Sequence, residues 1–313
     1  MLTVPPTIRS YFSYVMCFSV VDELCRGGRV SNASDEHHTP PNFVAFNIGI
    51  LCFSAGLNDL QRYLAFLNKK FTLFIVLCLT FATAPVPLML LKPFDPRNAL
   101  IPAALLRGFA RALGLRWKVR GLQNVDNSRG AVVLLNHQSA LDLYTLAVIW
   151  PLMSRCTVVA KRSLQYLVPF GTATWLWGTV FIDRGAQTAR DALNKQVVAI
   201  KEQKRKLLLF PEGTRHSGDK LLPFRKGAFH VAMDAGAPIQ PVVVSKYHFL
   251  EAERHKFGSG EFIISILPLI ETEGIAKDDI SMVIEKAQVS MQDEFAKISA
   301  ETFARYNKRT KAD

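Results

Sequence analysis

The last two thirds of the chain alternate between short apolar runs and longer segments in which apolar residues recur every three or four positions. The short runs, rich in Val, Ile, Leu and Phe, predict strands, and the longer periodic segments predict helices. The predicted strands are residues 117–120, 131–135, 157–160, 180–183, 207–210, 239–244 and 262–267, and the predicted helices lie near 141–152, 186–203, 226–235 and 278–305. This alternation predicts an α/β fold with a mainly parallel sheet flanked by helices, whose reactive groups gather at the carboxyl ends of the strands.

The first third of the chain contains a long apolar segment. Residues 71–91 carry no charged side chain and are flanked by lysines. This length meets the requirement of about 20 residues for a membrane-spanning helix, and Pro85 and Pro87 mark where such a helix ends or kinks. A shorter apolar stretch, residues 43–57, predicts a re-entrant or interfacial partner helix. We therefore expect a membrane-embedded helical hairpin before the α/β domain, with a pair of buried core helices as the alternative.

These patterns divide the chain into three regions. Residues 26–42 are rich in Gly, Ser, His and Pro, so residues 1–42 are predicted to be a flexible extension, to which we assign no function. Residues 43–115 form the membrane-associated segment. Residues 116–313 form the α/β domain, which ends in a basic tail at 305–311.

Composition limits the class of partner. The net charge of +12 indicates anionic partners. The sequence lacks the interleaved aromatic and basic residues of a nucleic-acid module, whereas anionic lipid and phosphorylated small molecules fit the charge. The five cysteines form no C-x-x-C pair, and the histidines show no metal-ligand spacing, so we expect neither a disulfide framework nor a metal site.

His137 and Asp142 stand at a predicted strand-to-helix junction, five residues apart. A neutral imidazole is the usual proton acceptor near pH 7, and it works best when a carboxylate holds its other nitrogen. We interpret His137 as a general base and Asp142 as its orienting carboxylate, with Ser139 capping the following helix. A capping-box variant, in which Asp142 bonds only backbone and His137 is a surface turn residue, is equally compatible with the spacing.

Further polar turns follow in a fixed order along the chain. F-I-D-R spans residues 181–184, F-P-E-G-T-R spans residues 210–215, and A-P-I-Q-P-V-V spans residues 237–243. Together with H-x-x-x-x-D at 137–142, this order resembles the four blocks of the glycerolipid acyltransferases, over residues 116 to 299. Within that superfamily the chain looks most like the animal 1-acyl-sn-glycerol-3-phosphate acyltransferases, which make phosphatidic acid from lysophosphatidic acid and acyl-CoA.

The resemblance and the residue types suggest a phosphate site. In the family the third block belongs to the site for the lysophospholipid phosphate, which implies that role for Glu212, Gly213 and Arg215. Arg184 and Arg215 offer planar forks for phosphate, Gly213 allows close backbone approach and Thr214 adds a hydroxyl. Glu212 would repel phosphate, so it more plausibly orders an Arg or a backbone turn. Further candidates for substrate binding are Lys161, Arg162 and Lys226, which are equally compatible with ordinary surface charge, and Pro238 and Pro241, which would shape an acyl or CoA pocket.

The resemblance implies an integral enzyme of phospholipid synthesis in the endoplasmic reticulum membrane. It would acylate the sn-2 hydroxyl of lysophosphatidate from acyl-CoA, which is a substrate, so no cofactor is expected. No G-x-S-x-G motif is present in the sequence, so we expect direct attack without an acyl-enzyme. Alternatives are acylation of glycerol-3-phosphate or another lysophospholipid, or a membrane-shaping protein without catalysis, against which the intact His137 and Asp142 argue.

Overall fold

The computed structural model describes residues 69–183, 187–251 and 256–310. The predicted extension 1–42, the hairpin arm 43–57 and Arg184 lie outside the described residues. The strands are β1 Leu115–Arg120, β2 Ala131–Leu135, β3 Cys156–Lys161, β4 Val180–Ile182, β5 Lys206–Leu209, β6 Ile239–Val244, β7 Leu250–Glu251, β8 Lys256–Phe257 and β9 Gly260–Ile266. The helices are α1 Lys69–Thr83, α2 Val86–Met89, α3 Leu100–Gly108, α4 Asp142–Ile149, α5 Phe170–Leu176, α6 Gln187–Gln203, α7 Gly227–Ala235 and α8 Ile280–Thr310.

Seven strands form one sheet in the order β1-β9-β6-β2-β5-β3-β4. Every neighbouring pair is parallel except β6 and β9, which run antiparallel. The chain between β6 and β9 forms the small β7–β8 hairpin rather than a crossover helix, so β9 returns antiparallel beside β6. The predicted α/β fold with a mainly parallel sheet is confirmed.

The sheet lies between two layers of helices. All five residues of β2 are buried, which is typical of a parallel strand covered on both faces. Val133 and Leu135 pack into a core shared with α1 to α5, whereas Val132 and Leu134 pack into a second core shared with α6, α7 and α8. Because β6, β2 and β5 are adjacent and parallel, the loops that follow them meet at one edge of the sheet.

The apolar segment at 71–91 forms α1 and α2, which are separated at Pro85 as the prolines predicted. One stripe of this segment is buried against the core, at Phe74, Cys78, Ala82 and Met89. Within the described residues, one helical stretch, Lys70–Met89, is long and apolar enough to cross a membrane, and only 22% of its apolar window is buried. Most of this arm is therefore not buried by the residues that the structure describes, and the hairpin stays a prediction.

Other departures from the predicted elements are local. Helix α4 ends at Ile149 and continues as a 3-10 turn over Trp150–Leu152, where Pro151 cannot supply a helical donor. The residues predicted as a basic tail continue α8 to Thr310, and Arg305 pairs with Glu261 and Glu301. Helix α5 and the β7–β8 hairpin were not predicted.

Candidate active site

A histidine and an aspartate are in direct contact where β2 ends. His137 Nδ1 lies 2.6 Å from Asp142 Oδ2, and the two side chains are 15% and 2% exposed. Because an ionised carboxylate only accepts, the hydrogen sits on Nδ1 and His137 Nε2 keeps its lone pair. The contact predicted between His137 and Asp142 is thus present at the edge where the strand ends converge.

The Asp142 carboxylate also shapes the turn. Its Oδ2 accepts the backbone N–H groups of Gln138 at 2.7 Å and Ser139 at 3.0 Å. The expected Ser139 cap is wrong: the helix N-cap is Leu141 without a side-chain bond, and Ser139 Oγ instead accepts the Leu141 N–H at 3.0 Å. The turn tightens before the helix begins, so the Ser139 hydroxyl lies too early to cap it. The Asp142 carboxylate therefore bonds both the backbone of the turn and the imidazole. The contacts expected from the two interpretations of the spacing are thus both present.

A tyrosine completes the hydrogen bonding of Asp142. Tyr247, from the loop after β6, donates its hydroxyl to Asp142 Oδ1 at 2.9 Å, and the same hydroxyl lies 2.8 Å from Thr145 Oγ1. Burial, together with the charge of Asp142, holds the pKa of Tyr247 well above its usual range. Tyr247 thus remains a donor, and sequence reasoning missed it because no local motif marks it.

The loop after β5 is bonded to the His137 turn. Glu212 is 4% exposed, and its two oxygens accept the His137 N–H and the Leu222 N–H, each at 2.9 Å. His216 N–H donates to the His137 carbonyl at 2.9 Å, and the Phe210 ring stacks on the imidazole with centroids 4.0 Å apart. Burial raises the pKa of Glu212, and the two backbone donors oppose that shift. Glu212 thus orders backbone, one of the two roles that its charge suggested.

The turn at Gly213 is closely covered by an arginine. Gly213 has φ +68°, and a Cβ there would lie 2.3 Å from Arg225 Nε. The backbone of Arg225 is held in place, because its N–H donates to Pro211 O at 2.8 Å. Arg225 and Arg215 are both exposed and Thr214 is partly exposed, so cationic groups and a hydroxyl surround this turn. Arg225 belongs to the segment P-F-R-K-G-A-F, a signal from which it could have been identified.

The remaining predicted residues lie around this edge or in the sheet. Lys161 is exposed at the end of β3, and Arg162 pairs with Asp183 at 2.6 Å. Lys226 precedes α7 and lines a cavity of about 330 Å³ against α8. Pro238 and Pro241 are buried, and their carbonyls accept the N–H groups of Val132 and Leu267, each at 3.0 Å. Their contacts are those of sheet residues, and a role in a pocket stays a prediction.

No cluster of three His, Cys, Asp or Glu side chains suited to a metal ion occurs within the part of the chain that the structure describes. At this edge of the sheet, an imidazole held by a carboxylate lies beside a turn with exposed arginines.

Comparison with known proteins places this arrangement in a family. The acyltransferase family model matches residues 116–245. Human 1-acyl-sn-glycerol-3-phosphate acyltransferase alpha is 34% identical over 222 residues, which cover 70% of this chain and 78% of that protein. The Saccharomyces cerevisiae 1-acyl-sn-glycerol-3-phosphate acyltransferase is 43% identical over 190 residues, which cover 59% of this chain and 62% of that protein.

A solved structure shares the fold. The 1-acyl-sn-glycerophosphate acyltransferase PlsC from Thermotoga maritima matches with a TM-score of 0.51 at 19% identity, over 71% of this chain and 93% of that chain. The order of the sequence blocks, the sheet and the extent of identity to the curated relatives agree: the chain belongs to the 1-acyl-sn-glycerol-3-phosphate acyltransferase family.

Proposed function

We propose that this acyltransferase moves a fatty acyl group from acyl-CoA to the sn-2 hydroxyl of 1-acyl-sn-glycerol-3-phosphate, giving phosphatidic acid and CoA. The observation that carries the proposal is the 2.6 Å contact between His137 Nδ1 and Asp142 Oδ2. The printed names of the human and yeast relatives support lysophosphatidate as the acceptor. Acyl-CoA is the donor and no resident cofactor is required.

His137 Nε2 acts as the general base. It takes the proton from the sn-2 hydroxyl as that oxygen forms a bond to the thioester carbonyl carbon. The carbon–sulfur bond then breaks, and the imidazolium returns the proton to the departing CoA thiolate. Asp142 stabilises the imidazolium through its 2.6 Å contact with Nδ1, so proton and charge balance without an acyl-enzyme.

The lysophosphatidate phosphate binds at the turn of residues 213–215. Gly213 has no side chain, so Arg225 can lie against the turn, and Thr214, Arg215 and Arg225 supply donors for the phosphate. Arg184 follows β4 and is proposed from the sequence alone as a further cation. Glu212 serves the same site indirectly, because it connects this turn to the His137 backbone at 2.9 Å.

The enzyme acts at a membrane, and we propose the endoplasmic reticulum. Its substrates carry acyl chains, and the α1–α2 segment carries no charge between residues 71 and 91 while only one stripe of it packs on the core. The opposite side, with Leu73 and Val76 each 43% exposed, then faces lipid. The net charge of +12 adds attraction to anionic headgroups.

A thiol-release assay tests the reaction and its acceptor. Purified protein in detergent is given oleoyl-CoA with lysophosphatidate, glycerol-3-phosphate, lysophosphatidylcholine or no acceptor. We expect release only with lysophosphatidate and a loss of about 10²–10⁴ in rate for His137→Ala. The exposed His230→Ala is the matched control and should retain the wild-type rate.

Each other outcome contradicts part of the proposal. Release without acceptor indicates a thioesterase, and faster release with another acceptor changes the substrate. No release from folded wild-type protein favours a non-catalytic membrane protein. Label that stays on the protein after radiolabelled acyl-CoA is supplied without acceptor contradicts direct attack.

A further inference from the structure

The hydroxyl of Tyr247 sits between two buried polar groups. It lies 2.9 Å from Asp142 Oδ1 and 2.8 Å from Thr145 Oγ1. A carboxylate cannot donate, so the single phenolic hydrogen points to Asp142 and the Thr145 hydroxyl must donate to the Tyr247 oxygen. The donors thus run in one direction, from Thr145 through Tyr247 to Asp142.

The three hydrogen-bonded side chains are shielded from solvent and fixed in place. Tyr247, Asp142 and Thr145 are 4%, 2% and 0% exposed. The Tyr247 ring packs edge-on against Phe262, with centroids 5.5 Å apart, and at a tilt against Phe249, with centroids 5.9 Å apart. A hydrogen bond to a charged group is stronger in a buried site than in water. The position of the Tyr247 hydroxyl therefore affects the Asp142 carboxylate strongly.

The two oxygens of Asp142 are used differently. Oδ2 accepts from His137 Nδ1 and from two backbone N–H groups, whereas the hydrogen bond recorded to Oδ1 comes from Tyr247. Tyr247 therefore holds the Oδ1 side of the carboxylate, and its hydrogen bond draws part of the carboxylate charge away from the imidazole. Without it, Oδ1 would be a buried acceptor without a protein donor among the described contacts.

We infer that Tyr247 is a positioning residue for acyl transfer, acting through Asp142 on His137. This inference rests on the proposed role of His137 as the base. Two other titratable residues bond the His137 turn: Glu212 accepts the His137 N–H, and His216 donates its backbone N–H to the His137 carbonyl. Since no contact joins Tyr247 to Glu212 or His216 in the described structure, a change at Tyr247 reports on Asp142.

The test removes one oxygen atom. Tyr247→Phe keeps the ring and its packing, and kcat is expected to fall about tenfold while KM for lysophosphatidate and oleoyl-CoA changes less than about twofold. Without the Tyr247 hydroxyl, more of the Asp142 charge acts on the His137 imidazole and favours the protonated imidazole. The acid limb of the kcat/KM profile therefore moves to higher pH. The matched control is Tyr144→Phe, whose buried hydroxyl contacts Arg107 O at 3.4 Å rather than Asp142.

A second pair of variants keeps the inference testable if Tyr247→Phe unfolds. Thr145→Val removes the donor to Tyr247 and should reproduce part of the kcat loss and the pH displacement, whereas Thr145→Ser keeps the hydroxyl and should restore the wild-type profile. A folded Tyr247→Phe with wild-type kcat and an unmoved acid limb overturns the inference, as does Thr145→Val indistinguishable from Thr145→Ser. A wild-type protein that makes no phosphatidate, or an active His137→Ala variant, contradicts the proposed function itself. These two measurements are made before the Tyr247 and Thr145 variants are compared.

Discussion

At the scale of single residues, a buried carboxylate in the loop after β5 joins the backbone of His137 to that of Leu222. Glu212 is 4% exposed and bonds the backbone N–H groups of His137 and Leu222, each at 2.9 Å. Both of its oxygens accept, and both partners are donors. An amide cannot replace it, because its NH₂ group would face one of the two N–H donors.

Glu212→Gln is therefore expected to lower the free energy of unfolding by about 1–3 kcal/mol, the cost of one buried donor left unpaired. It should also reduce kcat, because the His137 turn loses a fixed contact. Denaturant unfolding and the rate of phosphatidate formation measure the two effects. The exposed Glu273→Gln is the control, and equal stability of both variants would contradict this role of Glu212.

Local spacing predicted some of these residues and not others. His137 and Asp142 lie on one turn, so five residues of sequence were enough to propose their contact. Tyr247 reaches Asp142 across 105 residues, and no sequence period encodes such a contact. The role of Glu212 was predicted only in part, because its charge indicated an ordering role but not its partners.

At the scale of elements, the strands that bring the loops together were the most predictable. Residues 131–135 and 239–244 match β2 and β6, because buried parallel strands are nearly continuous apolar runs, which Gln240 interrupts in β6. Helix α5 and the β7–β8 hairpin have only seven residues and two residues per strand, too few to show a period. The antiparallel direction of β9 depends on that hairpin and was therefore missed as well.

Asn136 joins β2 to β6 beside the site. Its Nδ2 donates to Val244 O at 3.0 Å, and its Oδ1 accepts the Val244 N–H at 2.7 Å, in a side chain with no exposed area. We expect Asn136→Ala to lower the free energy of unfolding by about 1–3 kcal/mol, because the buried Val244 N–H loses its partner while Val244 O keeps the hydrogen bond from Gln138 Nε2 at 3.2 Å. Chemical denaturation measures the loss.

Asn127→Ala is the matched control for Asn136→Ala. Asn127 makes the same kind of paired bonds, to Leu152 O at 3.2 Å and from Ser154 N–H at 3.0 Å, but at an exposed position. Water replaces those bonds, so its loss should be below about 1 kcal/mol. Equal losses for the two variants would show that Asn136 does not join the strands.

At the scale of the whole molecule, one helical layer of the described residues exposes many apolar side chains. The helices α1 to α3 and their connections lie on the side of the sheet opposite α6, α7 and α8. Their exposed apolar side chains include Leu73, Val76, Leu88, Leu90, Leu91, Ile101 and Leu105. An apolar helix with one side on the core and the other exposed is typical of contact with lipid.

The full chain is expected to float with phospholipid vesicles in high salt, because apolar contact is insensitive to screening whereas attraction by the net charge of +12 is not. Leu73→Asp combined with Val76→Asp should reduce flotation. Val198→Asp, on the opposite layer and 52% exposed, is the control and should not. Release of the wild type by salt alone would indicate a purely electrostatic association.

Whether an imidazole held by a carboxylate performs the transfer is best tested with Asp142→Asn. The amide removes the charge that stabilises the imidazolium while keeping the side-chain shape. Formation of phosphatidic acid from lysophosphatidate and oleoyl-CoA should fall by about 10²–10⁴ in kcat. Asp219→Asn, which breaks an exposed pair with Lys246, should stay within about twofold of the wild type. A folded Asp142→Asn enzyme with the rate of the wild type would contradict the mechanism.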